Sequence, residues 1–90
     1  MKGNFLPSFW RSFERLSLDE QKRIQDSIPS FLDHFQKGNL PQGLGMKKLR
    51  KSIWEIRVGL SLRILFEIRK GGFNFFFVGN HDQVQRFLKS

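Results

Sequence analysis

IWEIRVGLSLRILFEIRKGGFNFFFV, residues 53–78, is the stretch whose reading decides the fold. Hydrophobic and polar residues alternate from Ile53 to Val58, with Trp54, Ile56 and Val58 on one face and Glu55 and Arg57 on the other. Gly59 turns the chain. From Ser61 to Arg69 the alternation resumes, with Leu62, Ile64, Phe66 and Ile68 inward and Arg63, Leu65, Glu67 and Arg69 outward. Period two is the mark of a half-buried strand. Lys70-Gly71-Gly72 reads as a hairpin turn. Phe73–Val78 is almost wholly apolar, which predicts a central strand or one covered on both faces. Strands joined by turns this short form an antiparallel meander.

Upstream, the period is helical. Residues 2–6 predict a short strand before Pro7. Ser8–Leu16 places Phe9, Phe13 and Leu16 on one stripe, bordered by Trp10. Ser17-Leu18-Asp19-Glu20 has capping-box spacing. The helix it opens carries Ile24, Ile28, Phe31 and Phe35 on one stripe, with Leu32 beside it and Lys22, Arg23, Asp26 and Asp33 opposite. Pro29 inside this helix predicts a bend or two abutting helices. Gly38 is a natural C-terminal cap, and GNLPQGLGM, residues 38–46, is a loop. Downstream, Asn80 can cap a last helix ending near Leu88. The expected fold class is α+β: an N-terminal helical hairpin packed on an antiparallel β-sheet, then a short C-terminal helix. Ninety residues make one domain, 1–90.

Charge is uneven. The net +8 divides into +1 over residues 1–46 and +7 over residues 47–90. A basic half of this kind attracts phosphates or an acidic partner. The absence of cysteine excludes disulfides, thiolate catalysis and Cys-based zinc sites. The two histidines and scattered carboxylates show no metal-ligand spacing. Gly43-Leu44-Gly45 lacks the Lys-Ser/Thr of a phosphate loop. The N-terminus has no stretch of signal-peptide length and no window is long enough to span a membrane, so a cytoplasmic protein without membrane partners is expected.

Lys47, Lys48, Arg50 and Lys51 lead into the alternating strand that begins at Ile53. Arg57 and Arg63 lie on outward positions of adjacent strands, where they can grip one phosphate or pair with Glu55 and Glu67. His81, at the start of the last helix, suits proton transfer near neutral pH or helix capping. His34, beside Asp33, reads as a surface residue. In Phe75-Phe76-Phe77, one alternating set either faces outward to stack on bases or packs in the core. Arg86 and Phe87 sit near the C-terminus, where Val84, Phe87 and Leu88 can pack on the sheet.

Lys48-Leu49, Trp54-Glu55-Ile56-Arg57-Val58, Leu62-Arg63-Ile64-Leu65-Phe66 and Phe77-Val78-Gly79-Asn80-His81-Asp82, in this order and spacing, resemble the RelE/ParE superfamily of bacterial toxins. The preceding helical hairpin fits the same organisation. The resemblance implies the toxin of a type II toxin–antitoxin module, with a cognate antitoxin covering the basic face. RelE-like members cut messenger RNA in the ribosomal A site without a metal or other cofactor. The RNA 2′-hydroxyl attacks its own phosphate, basic residues stabilise the charge, and a general acid protonates the leaving oxygen. ParE-like members share the fold and inhibit DNA gyrase. Carried over, Arg57 and Arg63 fall on phosphate-binding strand positions, and His81 falls where many members have Arg or His. Phe87 falls near a catalytic Tyr and lacks its hydroxyl, and Glu55 stands at a position where RelE-like members can carry Lys. The implied catalytic set is Arg57, Arg63 and His81. The implied RNA-binding set is Lys47, Lys48, Arg50, Lys51, Arg86 and Phe87. The alternatives are a ParE-like gyrase inhibitor and a catalytically weakened nucleic-acid-binding relative.

Overall fold

A computed structural model describes residues 2–37, 46–50, 52–70 and 72–89. The element order is β1 (Lys2–Phe5), α1 (Pro7–Glu14), α2 (Leu18–Gln36), β2 (Lys47–Lys48), β3 (Ile53–Val58), β4 (Leu62–Arg69), β5 (Gly72–Asn80) and α3 (His81–Lys89). The expectations at Gly38, Gly43-Leu44-Gly45, Lys51 and Gly71 lie outside the described residues.

The strands form one sheet in the order β1-β5-β4-β3-β2. The meander β2–β5 is antiparallel, as its alternation predicts, but β1 joins β5 in parallel, with Phe5 opposite Phe75. Gly59 opens the β3–β4 turn at φ +66°, a left-handed conformation that costs glycine little.

Helices α1 and α2 cover one sheet face. Pro7 occupies the first turn of α1, where its missing N–H is harmless. The capping box at Ser17 forms in full: Glu20 N–H donates to Ser17 Oγ, and Ser17 N–H donates to Glu20 Oε1. The Gln21 amide donates to the carbonyls of Phe13 and Leu16 and ties the start of α2 to the end of α1. Pro29 does not divide α2, which runs unbroken to Gln36. One hydrogen bond is lost there, and Ile24, Ile28 and Phe31, all buried, anchor the helix on both sides of the proline.

The main core joins Phe9, Phe13 and Leu16 of the first helical segment to Ile24, Ile28 and Phe31 of α2 and to Ile56, Leu62, Ile64, Phe66, Phe73, Phe75 and Val78 of the sheet. Phe31 meets Phe66 and Phe73 edge-on at centroid distances of 5.1 and 5.4 Å, a geometry the ring quadrupoles favour. Leu65 and Val84 are fully buried outside this cluster. Leu65 alternates with core residues and so faces the other side of the sheet, where α3 packs.

β5 carries a bulge. Leu65 pairs with Phe77 and Phe66 with Phe75, leaving Phe76 as an extra residue. Strict alternation over Phe75-Phe76-Phe77 therefore does not hold. Phe75 faces the core, while both Phe76 and Phe77 approach Phe87 of α3, at 5.8 and 4.3 Å.

Beyond Phe75 the strand β1 has ended, and α1 runs along the exposed edge of β5. Ser8 Oγ–H donates to the Phe76 carbonyl, and Val78 N–H donates to Ser12 Oγ at 3.0 Å. These two hydroxyls, one helical turn apart, take the place of a neighbouring strand. Ser12→Ala strands a buried amide and lowers stability by about 1–3 kcal/mol; urea unfolding checks this, and an unchanged midpoint would show that α1 does not satisfy the strand edge.

Candidate nucleic-acid interface

The register of β3, β4 and β5 draws one row across the sheet face opposite α1 and α2. Arg57 pairs with Arg63, and Arg63 pairs with Gly79. Adjacent strands stand about 4.8 Å apart, so the two arginine side chains leave the sheet side by side. The next row toward the sheet's interior is Lys47, Glu55, Leu65 and Phe77. His81 follows β5 two residues after Gly79, as the first residue of α3, and is exposed.

The two arginines sit in different surroundings. Glu55 lies diagonally across from Arg63, and its Oε1 is 3.3 Å from an Arg63 terminal nitrogen. This pair is largely sheltered, with side-chain exposures of 15% for Arg63 and 9% for Glu55. Arg63 Nε is buried without a hydrogen-bond partner among the described residues. Arg57 is exposed and makes no ion pair with a described residue. Of the two readings open in the sequence, Arg63 follows the ion-pair reading, with Glu55. Glu67 pairs instead with Arg69 on its own strand. Arg57 keeps its charge available.

The other basic residues divide by strand face. Lys47 shares the Arg57–Arg63 face, because it pairs with Glu55. Lys48 points to the opposite face and sets its ammonium 5.7 Å from the Trp54 ring centre. Arg50 lies in the turn after β2 and is exposed. Lys51 lies outside the described residues. Arg86 and Phe87 stand on α3, Arg86 exposed and Phe87 against Phe76 and Phe77.

α3 is fixed to this face by a reciprocal cap with Asn80-x-x-Gln83 spacing, in which Gln83 joins the expected Asn80. Gln83 N–H donates to Asn80 Oδ1, and Asn80 N–H donates to Gln83 Oε1, both at 2.8 Å. Gln83 thereby lies over Gly79, where an added Cβ would be 2.8 Å from its Oε1. Glycine at this position lets the α3 turn sit directly on the strand beside Arg63.

Among the described residues no group of three or more His, Asp or Glu could hold a metal ion. No described helix is long and apolar enough to cross a membrane.

The sheltered pair gives a stability test. Glu55→Ala leaves the Arg63 guanidinium buried without its carboxylate and lowers stability by about 3 kcal/mol. Arg57→Ala, on an exposed side chain, changes stability by no more than about 0.5 kcal/mol. Equal losses for the two variants in urea unfolding would show that the Glu55–Arg63 pair does not hold this face.

No family model matches the sequence, and no curated protein does. Solved structures do match. A copper-bound mutant toxin from Helicobacter pylori superposes with a TM-score of 0.72 at 17% identity, over 93% of this chain and 98% of that one. A chain of the RelB-RelE antitoxin–toxin complex from Methanococcus jannaschii gives 0.71 at 21% identity, over 93% and 96%. YafQ from E. coli gives 0.66 at 12% identity, over 92% and 96%. The helical pair on a mostly antiparallel five-stranded sheet, closed by a C-terminal helix, is the RelE-type toxin fold.

Proposed function

We propose that this chain is the toxin of a type II toxin–antitoxin pair and that it cleaves messenger RNA on the ribosome in the cytoplasm, without a metal. The observation that carries the reading is the Arg57–Arg63 row on the open face of a RelE-type fold. Arg57, exposed and without a carboxylate, binds the scissile phosphate. Arg63, steered by Glu55, supports the charge that grows on the phosphoryl oxygens. The 2′-hydroxyl of the preceding nucleotide gives its proton to solvent water and attacks phosphorus, whose bond to the 5′-oxygen breaks. The 5′-oxygen leaves with a proton from His81, giving a cyclic 2′,3′-phosphate and a 5′-hydroxyl end. Lys47, Arg50 and Lys51 add contacts along the RNA backbone. The antitoxin partner is supported by the RelB-RelE complex among the similar structures.

A second reading, a ParE-like inhibitor of DNA gyrase that acts by protein contact, is favoured by two observations. Glu55 offsets the charge of Arg63, and Phe87 offers no hydroxyl for proton transfer.

Induced expression in bacteria with mapping of mRNA 5′ ends separates them. The expected result is growth arrest with new 5′-hydroxyl ends, both relieved by Arg57→Ala, and a loss of at least about 100-fold in cleavage for His81→Ala. Arrest with intact mRNA, together with inhibition of supercoiling by the purified protein, would establish the gyrase reading instead.

A further inference from the structure

A cleft of about 390 Å³ opens between the end of α1 and α3, along the edge of β5 that β1 leaves uncovered. Its aromatic wall is Phe77 with Phe87 stacked on it at 4.3 Å. Arg15 reaches it from the C-terminal end of α1, and Arg86 from α3. Ser12 and Gln83 complete the polar lining.

The polar inventory decides what this cleft selects. The Ser12 hydroxyl is committed, donating to backbone carbonyls of α1 and accepting from Val78 N–H. Gln83 Oε1 is committed to the Asn80 amide, which leaves the Gln83 NH₂ as a donor. Among the described residues no carboxylate lines the cleft. Neither arginine makes an ion pair with a described residue, although Asp82 stands four positions before Arg86. What remains is two guanidiniums, one amide donor and an aromatic wall. That set rejects cations and favours an anion with a flat ring attached.

Position adds to chemistry. Gln83 lines the cleft and also covers Gly79, the register partner of Arg63. The cleft therefore adjoins the Arg57–Arg63 row, one strand away. We propose that it is a nucleotide subsite, in which Arg15 and Arg86 take the phosphate and the aromatic wall takes the base, so that RNA crosses β5 from the arginine row into the cleft. This deepens the RNA reading given above and rests on it. It also brings in Arg15, a residue of the nearly neutral half of the chain.

Adenosine 5′-monophosphate, titrated into the isotopically labelled protein in phosphate-free buffer, tests the site by NMR. The expected shifts fall on residues 12–15 and 83–87. Arg15→Ala and Arg86→Ala each weaken binding roughly tenfold, and inorganic phosphate binds more weakly than the nucleotide. Both side chains are exposed, so both variants keep the unfolding midpoint of the parent. Shifts that persist unchanged in the double variant would overturn the proposal. Phosphate binding as tightly as the nucleotide would reduce the cleft to a plain anion site, without base recognition. A double variant that keeps nucleotide binding but no longer binds a Glu-rich peptide would make it a protein-docking site instead. Nucleotide binding needs no cleavage, so the two readings fail separately. A chain that cuts no mRNA yet binds the nucleotide here loses only the nuclease assignment, and one whose cutting and nucleotide binding ignore Arg15→Ala loses only the subsite.

Discussion

One extra residue in β5 sets the geometry on which both faces of the sheet depend. Before Phe76, Phe73 and Phe75 face the helices; after it, Val78 does, and Phe77 turns to the other side. Regular alternation from Phe75 would instead send Phe77 into the core and Val78 out of it. The bulge also places Gly79, rather than a residue with a side chain, opposite Arg63. That vacancy lets Gln83 settle over the strand and fixes where α3 begins. A local irregularity thus moves an aromatic surface to the open face and sets the C-terminal helix beside the arginine row.

The same strand explains why α1 is amphipathic in an unusual way. Its apolar stripe, Phe9 and Phe13, enters the core, but Ser8 and Ser12 are aimed at β5. A sheet edge left open at Phe76–Val78 would expose a donor and an acceptor to strand pairing with another chain. Hydroxyls on a helix close that edge without adding a strand, and the space alongside them becomes the cleft at Arg15 and Arg86.

Legibility in the sequence followed the range of the interaction. The Ser17–Glu20 capping box was readable because both partners lie within four residues, and the β3 and β4 faces because alternation is local. The bulge was not, since Phe73–Val78 is apolar apart from Asn74 and has no phase to read. The parallel partner of β1 lies about seventy positions away and leaves no local signal. Arg57 and Arg63 could be assigned to one face, but which of them Glu55 would hold depends on the diagonal across β3 and β4, and hence on register. Lys47 and Lys48 looked alike as a basic pair, and a two-residue strand sends them to opposite faces.

The basic C-terminal half therefore does not act as one surface. Arg63 is held by Glu55, Arg69 pairs with Glu67, and Lys48 rests on Trp54. These cations serve the fold at least as much as a ligand. Among the described residues, exposed cations outside any ion pair include Lys47 and Arg57 on one side of the sheet, Arg50 in the turn after β2, and Arg86 beyond β5, where Arg15 joins it from the end of α1. A chain that laid RNA only across the basic half would have no use for a cation on the first helix. On the proposed path, over the glycine at Gly79 and into the cleft, RNA would meet cations from both halves, because α1 lies against β5.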